Sequence, residues 1–366
     1  MLLHYMFDDK FADYAIEQFS NKKIESKFIL VINTTTIKYV KNIDKVLLLS
    51  PEEVESLTTT DLYADVTGVI FHGLFTPWQE KLLKKIPNSI KVAWMFWGAE
   101  IYGVEKIRKT FLAPFTLLIY NLRKIYQRIK LKKTNKYCVP FEVFDRIDYC
   151  LTDVDFEYNY AKCVLNNKMQ MIWYNYYSIE ETVGKLINSV VSGNNVFLGN
   201  SSTIENNYID ALIKLKKVLN PEQFITIPVS YGDKWVRNLV VRIGNAIFKE
   251  RFKPLIKFMP LNEYNIRLLD CGIMVMNHYR PNAQGNIITG LWLGMRVFLS
   301  KKSMVYQYFK RLNLIIFSVE DDLNKDNLKL GKLTEEEILH NRTILNQLYS
   351  NNAINIAVNE IIHNLS

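Results

Sequence analysis

The run "VAWMFWGAEIY", residues 92–102, carries the reading of the whole chain. From Val92 to Gly98 every side chain is strand-like or small. A tight Gly98-Ala99 step then leads straight to Glu100, with Ile101 and Tyr102 behind it. A buried, unpaired carboxylate costs several kcal/mol or takes a large pKa shift, on the order of several units. Glu100 at the mouth of an apolar strand therefore reads in one of two ways. It is a helix cap or ion-pair partner, or it is a group placed for proton chemistry.

The same strand-then-polar pattern recurs along the chain. In the first half "KFILVIN" (27–33), "KVLLLS" (45–50), "GVIFHG" (68–73), "KVAWMFWG" (91–98) and "RIDYCLT" (146–152) are expected strands, with helical patterns between them. Ser50-Pro51-Glu52-Glu53 is a capping box with proline at the first helical position, and Thr76-Pro77 repeats the device. "SIEETVGKLINSVVSGNN" (178–195) is expected to be a helical connector. A second series follows: "NVFLGN" (195–200), "QFITIPV" (223–229), "LIKFM" (255–259), "GIMVMN" (272–277), "RVFLS" (296–300) and "LIIFS" (314–318). The tail "NAINIAVNEIIHNL" (352–365) is an amphipathic helix. Alternating strands and helices in two series imply an α/β chain of two doubly wound domains facing across a cleft.

At 366 residues the chain suits two domains, and 49% hydrophobic residues exclude bulk disorder. The four cysteines, Cys138, Cys150, Cys163 and Cys271, lack zinc or disulfide spacing and read as thiols in a reducing compartment. The N-terminal "MLLHYMFDDKFADYAIEQF" turns acidic at once and has no basic n-region, so it is not read as a signal peptide. Residues 106–136 hold ten Lys/Arg and no acid, which accounts for the whole net charge of +9. Within them "FLAPFTLLIY" (111–120) is too short to span a bilayer. Flanked by Lys106, Arg108, Lys109, Arg123, Lys124, Arg128, Lys130, Lys132 and Lys133, it suits an anionic membrane surface, with Phe111, Phe115 and Leu117 inserting. A core helix with a solvated basic end is the competing reading. No finger, helix-turn-helix or ribonucleoprotein motif supports nucleic-acid binding.

Five polar clusters each follow an expected strand: His72-Gly73, Trp97-Gly98-Ala99-Glu100, Gly199-Asn200-Ser201-Ser202, Tyr231-Gly232, and His278-Tyr279-Arg280 running into Asn282, Gln284, Gly285 and Asn286. Ligands of open α/β sheets bind beyond the carboxyl ends of strands. The second-half clusters suit an anion: glycine-lined backbone, hydroxyls, a helix start without acids, and Arg280. A diphosphate is the natural ligand, although neither a dinucleotide nor a P-loop fingerprint is present. Asp153-x-Asp155 resembles a metal-holding pair, but Thr152 with Asp155 also has capping-box character. No HExxH and no GxSxG occurs.

"FHGLFTPW", "WMFWGAEIY", "GNSSTIENNY", "IPVSYG", "LNEYNIRLLDCGIMVMNHYRPNAQGN" and "LWLGMRVFLS" together resemble the TDP-N-acetylfucosamine:lipid II N-acetylfucosaminyltransferases, glycosyltransferase family 56, over residues 68–320. The resemblance implies a GT-B fold. Residues 1–185 would form a Rossmann-like acceptor and membrane-facing domain, and 190–345 one for the nucleotide-sugar. Residues 346–366 would be a helix packing back towards the first domain. It implies a nucleoside-diphosphate sugar donor, a lipid-linked saccharide acceptor, no metal and no other cofactor, and a peripheral place on the cytoplasmic face of the bacterial inner membrane. The family pattern has Asp where this chain has Glu100, which lengthens the carboxylate's reach by one methylene. In such a transfer Glu100 is the expected base or acceptor-orienting group. His72 is a second candidate, binding sugar hydroxyls or orienting Glu100. Gly73, Trp97, Gly98 and Tyr102 line the acceptor side. A nucleotide-sugar epimerase or hydrolase of the same fold, a transferase with another donor, and a non-catalytic membrane adaptor remain as alternatives.

Overall fold

The computed structural model describes residues 1–20, 22–33, 36–57, 63–131 and 137–366. It divides into two compact units: Met1–Glu105 with Asn135–Ser178 and Asn351–Ser366, and Lys106–Thr134 with Ile179–Ser350. The first holds a seven-stranded parallel sheet in the order β3-β2-β1-β4-β5-β6-β7. Its strands are β1 Leu2–Met6, β2 Ser26–Val31, β3 Val46–Leu49, β4 Gly68–His72, β5 Lys91–Met95, β6 Tyr149–Thr152 and β7 Gln170–Trp173. The second holds a six-stranded parallel sheet, β10-β9-β8-β11-β12-β13. Here β8 is Asn195–Leu198, β9 Ile225–Pro228, β10 Phe252–Leu255, β11 Cys271–Met276, β12 Arg296–Leu299 and β13 Phe317–Ser318.

Two strands lie outside the expected set. Leu2–Met6 and Gln170–Trp173 are short, and a histidine interrupts the first, so neither stands out by pattern. Yet β1 is central: every residue is buried, and it pairs with β2 on one side and β4 on the other, Leu3 opposite Lys27 and Val69. Strand β10 lies three residues earlier than expected, at Phe252–Leu255. It includes Pro254, which an edge strand tolerates because one side of its ladder is open. Ile256 and Phe258, expected inside it, are exposed.

The capping box at Ser50 forms as expected. Glu53 donates its backbone N–H to Ser50 Oγ at 3.1 Å, and Ser50 N–H donates to Glu53 Oε2 at 2.7 Å. The expected box at Thr152 does not. The helix Asp155–Leu165 has Val154 at its cap with no side-chain bond, because Thr152 Oγ1 turns to Val154 N–H and Glu157. The helix Asn351–Leu365 lays Ile354, Val358, Ile361 and Leu365 into the first unit's core beside Leu2 and Ile70. Its end comes so close to Gly68 that a Cβ there would meet Leu365 Cβ at 2.6 Å. The basic helix Pro114–Leu131 groups with the second unit. Its amino end is fastened by Asp210, which accepts from the backbone of Phe115 and Thr116 and from the Thr116 hydroxyl at 2.7–3.0 Å.

Candidate functional site

In each sheet the strand order turns at one place, between β1 and β4 in the first and between β8 and β11 in the second. Crevices for ligands form beyond the carboxyl ends of strands at such points. The polar clusters gather there.

In the first unit Glu100 lies in the four-residue helix Ala99–Tyr102, behind Gly98 at φ +87°, a conformation that favours glycine. The carboxylate is 4% exposed. Its Oε1 accepts from Leu74 N–H and Trp94 Nε1–H at 3.1 Å each, and from Trp97 N–H at 3.5 Å. Oε2 has no hydrogen-bond partner among the described residues. Burial pushes its carboxyl up to about 7, against the pull of these N–H donors. Glu100 thus ties the loop after β4 to the turn after β5, from inside the fold.

His72 is also enclosed. Its Nε2 lies 3.1 Å from His4 Nδ1 and its Nδ1 lies 2.8 Å from the Tyr176 hydroxyl, which accepts from Trp97 Nε1 at 3.0 Å. Burial lowers His72 to about 3 and holds His4 well below the usual range, so both are neutral. Both His72 nitrogens are occupied, so the ring orients Tyr176 and Trp97 from beneath. Tyr102, expected to face the acceptor, is buried between Phe96 and Tyr160. Gly73 sits at φ +83° with the Phe75 ring 2.3 Å from where a Cβ would stand.

Above this network lies a basin of half-buried aromatic rings. Phe11 stacks on Tyr176 at 5.0 Å and meets Trp97 edge-on at 5.7 Å; Phe75 reaches Trp97 at 5.5 Å and Phe7 at 5.5 Å. Asp9 stands in the same place, three residues beyond β1. The strand-by-strand sequence reading missed Asp9 and Tyr176, because β1 and β7, whose ends carry them, were not recognised as strands.

In the second unit Gly199 follows β8 at φ +67°, and a Cβ there would lie 2.4 Å from the Tyr208 ring. The loop is folded tightly. Tyr208 Oη donates to Ser201 O at 2.8 Å and Asn206 Nδ2 to the same oxygen at 2.9 Å. Ser202 donates its N–H and Oγ–H to Tyr231 O at 2.8 and 2.6 Å, drawing in the loop after β9. Gly232, at φ +108°, faces Ser202 so closely that a Cβ would come within 2.9 Å. Beyond β11, Asn282 Nδ2 lies 3.5 Å from Asn200 Oδ1, so this loop meets the first one. Ala283 takes a left-handed conformation and opens the helix Gln284–Trp292, whose first turn contains Gly285 and Asn286 and no acid. Asn286 Nδ2 donates to Tyr264 Oη at 2.7 Å, which makes it a brace for the helix start. His278 is buried, lies 3.0 Å from Arg280 O, and is lowered to about 4 by burial and the nearby guanidinium. Hydrogen bonds therefore tie loop 199–202 to Tyr231 and bring Asn282, from the loop after β11, against Asn200.

Among the described residues no group of three or more His, Cys, Asp or Glu is placed to hold a metal, and no helix is long and apolar enough to cross a membrane. A surface depression lined by Lys91, Asp148, Tyr149 and Gln170 lies at the amino ends of β5–β7, away from the chemistry.

The sequence profile of the family described as 4-alpha-L-fucosyltransferase, glycosyl transferase group 56, matches residues 9–344. The chain belongs to that family. It is a glycosyltransferase, and solved structures of the GT-B class share its fold over nearly its full length. They include the lipopolysaccharide outer core galactosyltransferase WaaB in apo form (9% identity, 100% of this chain and 99% of that one, TM-score 0.61). Anabaena HepE in complex with UDP and glucose aligns at 11% identity over 99% of both chains, TM-score 0.62. A glycosyltransferase from Rickettsia africae aligns at 13% over 100% and 97%, TM-score 0.62. No curated protein matches the group 56 chain in sequence.

The basic helix has two faces. Thr116 and Tyr120 turn inward, while Phe115, Leu118, Leu122, Ile125, Tyr126 and Ile129 are 52–72% exposed. Phe111, expected to insert into a membrane, is buried. Arg108 pairs with Glu205 at 2.9 Å, and Arg123 with Asp233 at 2.6 Å while lying over the Trp235 ring. These two arginines fasten the segment to its own unit. Lys106 is exposed; Lys109 and Lys124 are half-buried and Arg128 is exposed. Lys132 and Lys133 lie outside the described residues, as does the Lys130 side chain.

Proposed function

We propose that this glycosyltransferase moves a (deoxy)amino sugar such as N-acetylfucosamine from a nucleoside-diphosphate donor, a TDP-sugar by family, to a polyprenyl-diphosphate-linked saccharide in bacterial surface-polysaccharide synthesis. The observation that carries the reading is the convergence of residues 199–202, 231–232 and 280–286 at the turn of the second sheet's strand order. An acid-free helix start and Arg280 make that place favourable for a diphosphate. HepE, of the same fold, holds UDP and glucose. The first unit takes the acceptor, with the aromatic basin over Tyr176 as its floor. Glu100, enclosed and bonded to three N–H groups, holds the Trp97–Gly98 turn that shapes this floor.

A lipid-linked acceptor is favoured by the outer face of Pro114–Leu131. Its apolar side chains repeat at helical spacing, and Lys124 and Arg128 lie beside them. That combination suits lying on an anionic leaflet, with the protein peripheral on the cytoplasmic face of the inner membrane.

A thermal-shift panel of TDP-, UDP- and GDP-sugars tests the donor. A TDP-sugar is expected to raise the melting temperature most, and Arg280→Ala and Gln284→Ala to weaken its binding in calorimetry. No response to any nucleotide sugar would overturn the donor site, and unchanged affinity in both variants would displace it.

A further inference from the structure

We propose that Asp9 is the group that takes the proton from the attacking acceptor hydroxyl, at the edge of an aromatic subsite formed by Phe7, Phe11, Phe75, Trp97 and Tyr177 over Tyr176. The proposal rests on the transferase reading above and adds the residue that does its proton chemistry.

Place is the first argument. Asp9 follows the central strand β1, which β4 joins at the turn of the first sheet's strand order. Rings from the ends of four strands surround the spot: Phe7 and Phe11 beyond β1, Phe75 beyond β4, Trp97 beyond β5, and Tyr176 and Tyr177 beyond β7. Sites for small ligands combine such apolar and aromatic lining with few, well-placed polar groups.

The state of the carboxylate is the second. Asp8, its neighbour, is spent on the backbone N–H groups of Lys38, Tyr39 and Val40. Asp9 Oδ1 accepts from Phe11 N–H at 2.6 Å, while Oδ2 is shut from solvent with no hydrogen-bond partner among the described residues. A plain helix cap before Ala12–Ser20 would account for Oδ1 alone. Caps are solvated and drawn down by the helix dipole. Asp9 is instead pushed up to about 7: burial and the Asp8 charge outweigh Lys10 and the N–H groups of Phe11 and Ala12. Its charge is felt in turn by the Tyr176 hydroxyl. A carboxylate ionising near neutrality, with one oxygen anchored and the other unbonded, suits a general base. Glu100 shares that state but is 4% exposed, whereas Asp9 is half-buried among the rings at the strand ends.

The step balances without any further reactant. The acceptor O–H proton passes to Asp9 Oδ2. The oxygen's electron pair forms the bond to the anomeric carbon, and the bond from that carbon to the diphosphate breaks, its pair leaving with the nucleoside diphosphate. Direct displacement inverts the anomeric centre.

Asp9→Asn is the discriminating variant, because asparagine caps a helix as well as aspartate but takes no proton. In the full chain, with TDP-N-acetylfucosamine and a short-chain polyprenyl-diphosphate saccharide, kcat is expected to fall by about 10²–10⁴-fold. The variant stays folded, with a melting temperature at or above wild type above pH 7 because no buried charge remains. Donor Kd stays at the wild-type value, and the wild-type acid limb near pH 7 disappears. A folded Asp9→Asn enzyme with near-wild-type kcat, or a product of retained configuration, overturns the proposal. Release of TDP to water provides a second arm: loss in Asp9→Asn supports the base even when the chosen saccharide is not accepted, which separates failure of the acceptor reading from failure of this one. Infrared difference titration of wild type against Asp9→Asn needs no substrate. A carboxyl midpoint near 7 is expected, and one below 5 overturns the assignment.

Discussion

Glu100→Gln gives a stability prediction whose sign and size follow from one buried carboxyl. The group rises from an ordinary 4.5 to about 7 on folding because burial penalises its charge. Between those values the folded chain holds a proton that the unfolded chain has released. Stability is therefore fully present below pH 4.5 and is lost as pH rises through 7. At about 1.4 kcal/mol per pH unit, the interval amounts to roughly 3 kcal/mol. Glutamine keeps an oxygen for the N–H groups of Leu74 and Trp94 and has no charge to bury. At pH 4.5 the two proteins should differ by no more than about 1 kcal/mol, one hydrogen bond's worth. By pH 8.5 the variant should be the more stable by about 2–3 kcal/mol. Asp9 contributes a pH dependence of the same sign, and His4, His72 and His278 contribute the opposite one, lost as pH falls. Both cancel in the difference. Urea unfolding followed by tryptophan fluorescence is the assay, since Trp78, Trp94, Trp97 and Trp173 all report on the first unit. A difference between the proteins that stays constant from pH 4.5 to 8.5 would refute the reasoning.

Gly199→Ala should lower the melting temperature and abolish TDP-sugar binding in calorimetry, because the new Cβ meets the Tyr208 ring at a left-handed position; wild-type affinity would contradict this. Asp210→Ala removes the acceptor for two backbone N–H groups and a hydroxyl at the start of Pro114–Leu131. It should cost about 1–2 kcal/mol and speed amide exchange over residues 115–120. Leu118→Ser, Leu122→Ser and Ile129→Ser together should leave the melting temperature unchanged, since all three side chains are exposed. The same triple variant should reduce flotation with anionic vesicles at least tenfold; equal flotation would remove the membrane reading.

Several features needed only local chemistry. Strand ends marked by glycine and polar residues, the Ser50–Glu53 box and the C-terminal amphipathic helix are set by neighbours a few residues apart, so hydrophobic spacing and cap residues suffice to place them. Other features depended on partners far away in the chain. Leu2–Met6 is central because Ser26–Val31 and Gly68–His72 flank it, and only that pairing puts Asp9 at the turn of the sheet. Glu100 was visible as an oddity, but its enclosure by Leu74 and Trp94, and hence its raised pKa, arises from packing. The basic segment showed its charge and its apolar run; where its helix starts is fixed by Asn207 and Asp210, about 95 residues downstream, which accept from the backbone N–H groups of Ala113 and Phe115. Hydrophobic pattern states which side chains avoid water. The desolvation of a charge depends on what closes over it, and that is a property of the fold.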